Sequence, residues 1–343
     1  MKNLRFMLLV VAGIGFCACS GGTDQNIDSL SGTQITISNW NLQTFFDGTK
    51  DGCEYKEFQK SADWNTETYR ARLGRLCEFI TKTDADIYVF EELEKEEIFY
   101  DISNQLAAGG HNWNQKKFWN YSVFAKEEGT AIGIGILSRY PLSNVKTHSM
   151  DIRIHSTAQP VTRYILEAQA SIEKNQLIIL ANHWKSKSGG EAETEIWRDW
   201  QESLLGKRLS ELQEQSPSPA ILICGDFNRN AKDFVCSFNQ PNSGNTIIRF
   251  TDFGFTDSVS VKSLWFTSSG NFVSSKGSYF YNNEWEHIDN IMIVGPVQKN
   301  DFYPLAVSPW ATEDGYPVPY KLYSGQGWSD HLPLYARICF YSD

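Results

Sequence analysis

The 343-residue sequence predicts an α+β layered sandwich, with stacked β-sheets inside and helices outside. Three observations predict it. Apolar strand-like runs recur along the chain, and several are nearly continuous, the pattern of strands buried on both faces. Two longer segments carry apolar residues at helical spacing. Polar residues interrupt the apolar runs at their ends rather than in their middles.

In order, the strand-like runs are Ile35–Leu42, Asp86–Leu93, Ile132–Tyr140, Tyr164–Ile172, Leu177–Trp184, Ala220–Phe227, Ile288–Val294 and Leu332–Phe340, all rich in Ile, Val, Leu and aromatics. The first helix is predicted over Thr66–Lys82, with Leu73, Leu76, Phe79 and Ile80 on one face. The second is predicted over Glu191–Gln215, with Trp197, Trp200, Leu204, Leu205, Leu209 and Leu212 facing inward. Pro217 and Pro219 stop it and introduce the next strand. There is no internal repeat and no second linker after residue 34, so residues 34–343 read as one domain.

Composition sets the class. Hydrophobic residues at 41% and charged residues at 21% exclude a disordered chain, and 25 Gly and 11 Pro exclude collagen-like or low-complexity sequence. Aromatics at 14%, including 11 Trp, are enough to fill a core and line a cleft. With 31 Lys+Arg against 41 Asp+Glu, the net charge is −10. That weighs against holding nucleic acid by a broad basic surface. It is compatible with meeting phosphate through a metal ion, because the cation then supplies the positive charge.

The N-terminus has the order of an export signal: Lys2 and Arg5, an apolar run over Phe6–Phe16 too short to span a bilayer, then small residues. Phe16-Cys17-Ala18-Cys19-Ser20-Gly21 resembles a bacterial lipoprotein cleavage box. The expectation is a signal peptide over 1–18, a lipidated Cys19 and a flexible tether to residue 33; processing at Cys17 or by an ordinary signal peptidase is the alternative. This places the protein in the bacterial envelope, touching membrane only through its lipid. The five remaining cysteines, at 53, 77, 224, 236 and 339, show no disulfide framework and no CxxC pair; Cys77 and Cys224 read as buried small hydrophobes.

The chemistry lies where polar residues end the strands. Asn41, the pair Glu91-Glu92, Asn182-His183, Gly225-Asp226-Phe227-Asn228, Asp289 and Ser329-Asp330-His331 each close or flank a separate apolar run. In extended chain, residues i and i+2 point the same way, so Asp226 and Asn228 project together, and Gly225 permits close backbone approach. Gathered at one rim, such residues make an oxygen-rich pocket suited to Mg²⁺ or Mn²⁺ rather than zinc. Each piece has an ordinary reading: a lone Asp caps a turn, and the acidic run Glu91–Glu97 is a solvated face. His111, His148 and His155 read as structural. The ordinary reading weakens because six interruptions occur at the ends of separate runs.

The ordered segments Trp40-Asn41-Leu42, Phe90-Glu91-Glu92-Leu93, Ile136-Leu137-Ser138-Arg139, Asn182-His183-Trp184, Gly225-Asp226-Phe227-Asn228, His287-Ile288-Asp289 and Ser329-Asp330-His331 span residues 35–340. Together they resemble the endonuclease/exonuclease/phosphatase superfamily, which includes DNase I-like nucleases, sphingomyelinases and inositol-polyphosphate phosphatases. Residues 277–289 are similar to a bacterial branch of it. The resemblance implies a four-layer α/β sandwich, two packed mixed β-sheets flanked by helices. It implies Glu92 as the principal metal ligand, helped by Asn41 and Asp330. Asp226 then positions or deprotonates the attacking water, and Asn228 steadies water and phosphoryl group. His331, oriented by Asp289, contacts the scissile phosphate, and His183 donates to a nonbridging oxygen, both imidazoles being protonated. Gln43 and Glu91 depart from the family's usual Asp and Gln. Arg198 and Gln201 fit a structural Arg-x-x-Gln pattern, and Arg163 is read as approaching the substrate.

The expected activity is divalent-metal-dependent phosphodiester hydrolysis by a monomer, foremost as a nuclease outside the cytoplasm. A phospholipid or inositol-phosphate hydrolase is the rival within the superfamily, for which Trp265-Phe266 and Tyr279-Phe280-Tyr281 are candidate lipid-facing aromatics. Lys185 and Lys187 offer only a small basic groove for nucleic acid. A non-catalytic surface-binding lipoprotein is the rival of another class.

Overall fold

The computed structural model describes residues 32–110, 118–152, 159–234, 246–252 and 255–341. The signal segment with Cys17 and Cys19, most of the tether, His111, His155 and Cys236 lie outside them. In chain order the strands are β1 (Gln34–Phe45), β2 (Ile87–Leu93), β3 (Tyr121–Ala125), β4 (Gly133–Ser138), β5 (Leu142–His148), β6 (Ile165–Ile172), β7 (Asn175–His183), β8 (Ile221–Asp226), β9 (Thr246–Asp252), β10 (Phe255–Ser263), β11 (Tyr279–Tyr281), β12 (Glu284–Glu286), β13 (Asp289–Val294), β14 (Val297–Pro304) and β15 (Leu334–Phe340). The helices are α1 (Lys56–Lys60), α2 (Thr66–Thr83), α3 (Glu97–Ala108) and α4 (Glu191–Gln215).

Two mixed sheets form, of six strands in the order β14-β15-β1-β2-β4-β3 and seven in the order β5-β6-β7-β8-β13-β10-β9. Strand alternation explains why the central runs are apolar throughout. Ile35, Ile37, Ile87 and Val89 of the first sheet meet Ile179, Ala181, Leu222 and Cys224 of the second between the sheets. The alternate residues Trp40, Tyr88 and Phe90 point outward, under α2 and α3. Leu180, Ile221 and Ile223 point outward under α4. Each sheet is thus covered on both faces, and the layers run helix, sheet, sheet, helix, as predicted.

Helix α2 begins with a capping box between Asn65 and Thr68 and buries Leu73, Leu76, Phe79 and Ile80. In α4 the inward face differs from the apolar stripe: Trp200 is exposed, and Arg198, Gln201, Glu202 and Arg208 are buried beside Trp197, Leu205, Leu209 and Leu212. These polar groups have partners. Arg198 donates to the carbonyls of Lys185 and Glu191, Gln201 accepts from the Lys185 N–H, and Arg208 pairs with Glu167. The long helix therefore holds the loop that follows β7 as well as covering the sheet. His148 is structural, bonded to Glu167 at 2.8 Å. Cys77 and Cys224 are buried.

Where Asn182, Gly225 and Asn290 sit abreast on β7, β8 and β13, the backbones approach closely. Gly225 has φ +141°, and a Cβ there would stand 1.9 Å from the Asn182 carbonyl oxygen. Gly225→Ala is expected to destabilise the fold by about 3 kcal/mol, read as a lower urea midpoint in equilibrium unfolding.

Candidate active site

The site is assembled from the C-terminal ends of two parallel strand pairs, one in each sheet. β1 runs parallel to β2 and delivers Asn41 and Glu92; β7 runs parallel to β8 and delivers His183 and Asp226. Asp226 lies across from His183 on one side and across from Asp289, at the start of antiparallel β13, on the other. The turn before β15 adds Asp330 and His331. Its Ser329 Oγ donates to the Asn41 carbonyl at 2.6 Å, and Trp40 Nε1 donates to the His331 carbonyl at 2.9 Å, tying this turn to β1.

Local backbone irregularities aim the side chains. The β1–β2 and β2–β4 registers shift at Asn41–Phe45 and Glu91–Leu93. Gln43, Thr44, Glu92 and Asn228 all take left-handed φ, between 48° and 65°. The bulge splits the adjacent acids: Glu91 is buried between the sheets, while Glu92 reaches the cleft. There the Thr44 N–H donates to Glu92 Oε2 at 2.6 Å. Gln43, in place of the expected Asp, is used structurally, its Oε1 accepting from the Tyr320 N–H at 2.7 Å.

Asn41 Nδ2 donates to Glu92 Oε1 and to Asp226 Oδ2, each at 3.1 Å. His183 Nε2 stands 3.7 Å from the same two oxygens. Asp226 Oδ1 accepts from the Asn228 N–H at 2.8 Å, and Asn228 Nδ2 donates to the Trp184 carbonyl at 3.2 Å. His331 Nδ1 and Asp289 Oδ2 are 2.7 Å apart, leaving Nε2 as the free ring nitrogen. All eight residues read from the sequence as site residues converge here: Asn41, Glu92, His183, Asp226, Asn228, Asp289, Asp330 and His331.

The two imidazoles titrate in opposite directions. Burial disfavours charge on His331, but Asp289, with Asp330 and Asp226 behind it, outweighs burial and raises its pKa well above the ordinary histidine value. Burial, Arg163 and His331 hold His183 well below that value. Against the expectation that both imidazoles are protonated, the two environments pull apart: that of His331 favours the charged ring and that of His183 the neutral one. Burial and Asp289 raise Asp226, opposed by His331 and by the hydrogen bonds from Asn228 and Asn41. Burial, then Asp289 and Asp226, raise Glu91 well above the carboxylate range, which favours its neutral form. The reading of Glu91–Glu97 as a solvated face is corrected too: Glu91 and Glu94 are buried, and only Glu96 and Glu97 face solvent.

The cleft has a volume of about 670 Å³. Its rim contains residues that sequence reading missed or underweighted, notably Tyr55, Thr44 and Glu286. Arg163 lines it, as anticipated, and donates to the Trp184 carbonyl at 3.2 Å. Tyr279 and Tyr281 stack at 6.2 Å on the β11–β12 hairpin, and the Tyr279 ring lies 4.7 Å from that of His331. Lys187 also lines the cleft, but Glu286 and Glu191 pair with it at 3.0 and 2.9 Å. Trp265 and Phe266 are core residues, which removes them as lipid-facing aromatics. Tyr279 and Tyr281, read from the sequence as candidate lipid-facing aromatics, line the cleft.

The donor set fits a hard divalent cation. Glu92 and Asp226 converge on one point, Asp330 is raised by burial and by Glu92, and Asp289 Oδ1 and Glu91 Oε1 are buried without hydrogen bonds. Carboxylates in such number, against His331 and Arg163, leave negative charge for a cation to neutralise. Asn41 bridges the acids through its amide nitrogen, and an oxygen-ligand role requires that amide to turn over.

Solved structures share the fold. Truncated TDP2 from Caenorhabditis elegans is similar at 14% identity over 91% of this chain and 100% of that one, with a TM-score of 0.55. The human nocturnin catalytic domain with bound sulfate anion matches at 16% identity, over 90% and 94%, with a TM-score of 0.54. An endonuclease/exonuclease/phosphatase family protein from Bacteroides thetaiotaomicron matches at 11% identity, over 91% and 100%, with a TM-score of 0.52. No curated protein matches the sequence significantly. The model of the Endonuclease/Exonuclease/phosphatase family matches residues 36–339, from the first strand to the last, and therefore takes in every residue of the cleft. The chain thus belongs to the endonuclease/exonuclease/phosphatase family, whose members hydrolyse phosphoester bonds.

Proposed function

We propose that this chain is a divalent-metal-dependent phosphodiesterase that cleaves nucleic acid outside the cytoplasm. The observation that carries the catalytic reading is the meeting of Glu92, Asp226 and the Asp289–His331 pair in one cleft, drawn from both sheets. Mg²⁺ or Mn²⁺ held by Glu92, with Asn41 and Asp330, would withdraw charge from the anionic phosphate. Asp226 accepts the proton of the attacking water, and the Asn228 backbone fixes the orientation of its carboxylate. His331, held through Nδ1 by Asp289, presents Nε2–H to a phosphoryl oxygen as a full cation. His183 donates from a neutral ring, so it orients the phosphate without adding a second positive charge beside Arg163.

The rim favours nucleic acid over a lipid headgroup. Tyr281 is 58% exposed and stacks on Tyr279 beside the reacting centre, a platform for a base next to the scissile phosphate. Arg163 supplies a cation on the same cleft. The basic groove is small because Lys187 is already paired, which fits short or single-stranded substrate rather than tight duplex binding. The N-terminal basic, apolar and small-residue order supports export and lipidation of Cys19, leaving the enzyme a membrane-tethered monomer.

Purified protein is expected to cleave DNA or RNA with added Mg²⁺ or Mn²⁺ and to stop in excess chelator. Glu92→Gln, His331→Ala and Asp226→Asn each lower kcat/KM by roughly 10²–10⁴. Undiminished turnover in any of them, or in chelator, overturns the mechanism, and a parallel panel with sphingomyelin and inositol phosphates decides the substrate. Tyr281→Ala is expected to raise KM for single-stranded substrate with kcat nearly unchanged, worth about 1–3 kcal/mol of stacking.

The pH dependence follows from Asp226. Protonation removes the base, so the rate falls as pH falls through its raised pKa, above the ordinary Asp range. A cation favours the carboxylate, so the acidic limb of the kcat/KM profile moves to lower pH as Mg²⁺ is raised. A limb at the ordinary Asp pKa of about 3.9, insensitive to Mg²⁺, contradicts this assignment.

A further inference from the structure

A second group of carboxylates stands in the loop between β1 and α1, and none of its members lines the catalytic cleft. Oxygens of Asp51, Glu54 and Glu94 lie within 4.8 Å of one another. Glu94 enters from just beyond β2 and is only 1% exposed. Its Oε2 accepts from the Asp47 N–H at 2.6 Å, while its Oε1 is buried with no hydrogen-bond partner. Glu54 is buried as well, its two oxygens accepting from the Asp51 and Gly52 N–H groups at 2.7 and 3.0 Å. Asp51 is exposed and accepts from the Cys53 N–H at 3.0 Å.

Local charge is only partly balanced by the chain. Lys95 pairs with Asp47 and also acts on Asp51 and Glu94, and Lys126 acts on Asp51 at longer range. Among the described residues no cationic side chain pairs with Asp51, Glu54 or Glu94. A buried carboxylate with one oxygen unpartnered, beside two more carboxylates, is unfavourable unless a proton or a cation joins them; burial raises Glu94 to about 7, and a cation would hold it ionised. The loop also has the build of a cation loop. Asp47, Thr49 and Asp51 place oxygen-bearing side chains at alternate positions, and Gly52 follows with φ +95°. Calcium-binding loops use the same alternation before a sharp glycine turn.

We infer that Asp51, Glu54 and Glu94 form a second divalent-cation site, distinct from the catalytic centre and suited to Ca²⁺, that fastens the β1–α1 loop to the end of β2. The donors are all carboxylate oxygens, each able to ligate while accepting an N–H bond. Ca²⁺ accepts six to eight oxygens in irregular geometry, whereas Mg²⁺ demands a regular octahedron and keeps its waters. A bound ion braces Glu92 indirectly. The same loop begins just after Thr44, whose N–H holds Glu92 Oε2, and the Glu94 N–H donates to the Phe45 carbonyl at 3.1 Å.

The test uses the full chain stripped with chelator, titrated with CaCl₂ by calorimetry and followed by thermal unfolding with and without Ca²⁺. The wild type is expected to bind Ca²⁺ and gain Tm. Asp51→Asn with Glu54→Gln is expected to weaken that binding by roughly tenfold or more and to erase the Tm gain, with phosphodiesterase activity at saturating Mg²⁺ retained. Asp51→Asn alone, at an exposed position, serves if the double variant does not fold. Glu92→Gln is expected to keep the Ca²⁺-dependent Tm gain. The site is overturned if wild type binds no Ca²⁺, if the loop variants bind it unchanged, or if the response is lost only in Glu92→Gln, which places the ion in the catalytic cleft. Stronger stabilisation by Zn²⁺ than by Ca²⁺ overturns the choice of ion, since the Cys53 thiol beside Asp51 is a soft donor at hand.

Discussion

The face-to-face packing of the two sheets is the contact on which everything else rests. Ile35, Ile37, Ile87 and Val89 press against Ile179, Ala181, Leu222 and Cys224, and this apolar layer fixes where the ends of β1, β2, β7 and β8 stand relative to one another. Parallel neighbours start and stop together, so their C-terminal ends form one rim in each sheet. Polar side chains at those ends escape the dry interior and meet across the gap. A shift of the sheets by one residue would turn each strand's inward set outward and scatter the cleft.

Electrostatics then sets the protonation states. Burying several carboxylates together is unfavourable, and the protein relieves it in three ways. The site of Glu91 favours its protonated form, Asp289 favours charge on His331, and Asn41 bridges Glu92 and Asp226. The two imidazoles, of one residue type, shift in opposite directions because His331 has a carboxylate at 2.7 Å while His183 is buried with Arg163 and His331 for neighbours. Neither state is visible in a one-dimensional pattern, since the groups that decide it come from β7, β13 and the turn before β15.

The fold's centre was legible and its margins were not. The strands read from sequence are the central ones, whose two buried faces demand continuous apolar residues. The four sheet edges, β3, β5, β9 and β14, were missed, and so was β10, which lies next to the edge strand β9. Edge strands keep one side in water and discourage pairing with other chains through polar residues, so Leu142–His148 and Val297–Pro304 carry no apolar run to mark them. Helix α3 was hidden by the acids that favour its N-terminus, and Trp200 was assigned inward because α4 buries charged partners in place of an apolar stripe.

By itself the sequence determined the layered architecture, the place of most central strands along the chain and the identity of eight polar residues at their ends. Those features are local: apolar runs, helical spacing and residue type are all written within a few positions. Only the tertiary structure decided that Glu91 turns inward while Glu92 turns to the cleft, that His183 shifts toward the neutral form while His331 shifts toward the charged one, that Trp265 and Phe266 are core while Tyr281 is rim, and that Glu94 meets Asp51 and Glu54. Each of these depends on a bulge, a field or a neighbour more than 25 residues away in the chain, and distance along a sequence carries no record of distance in space.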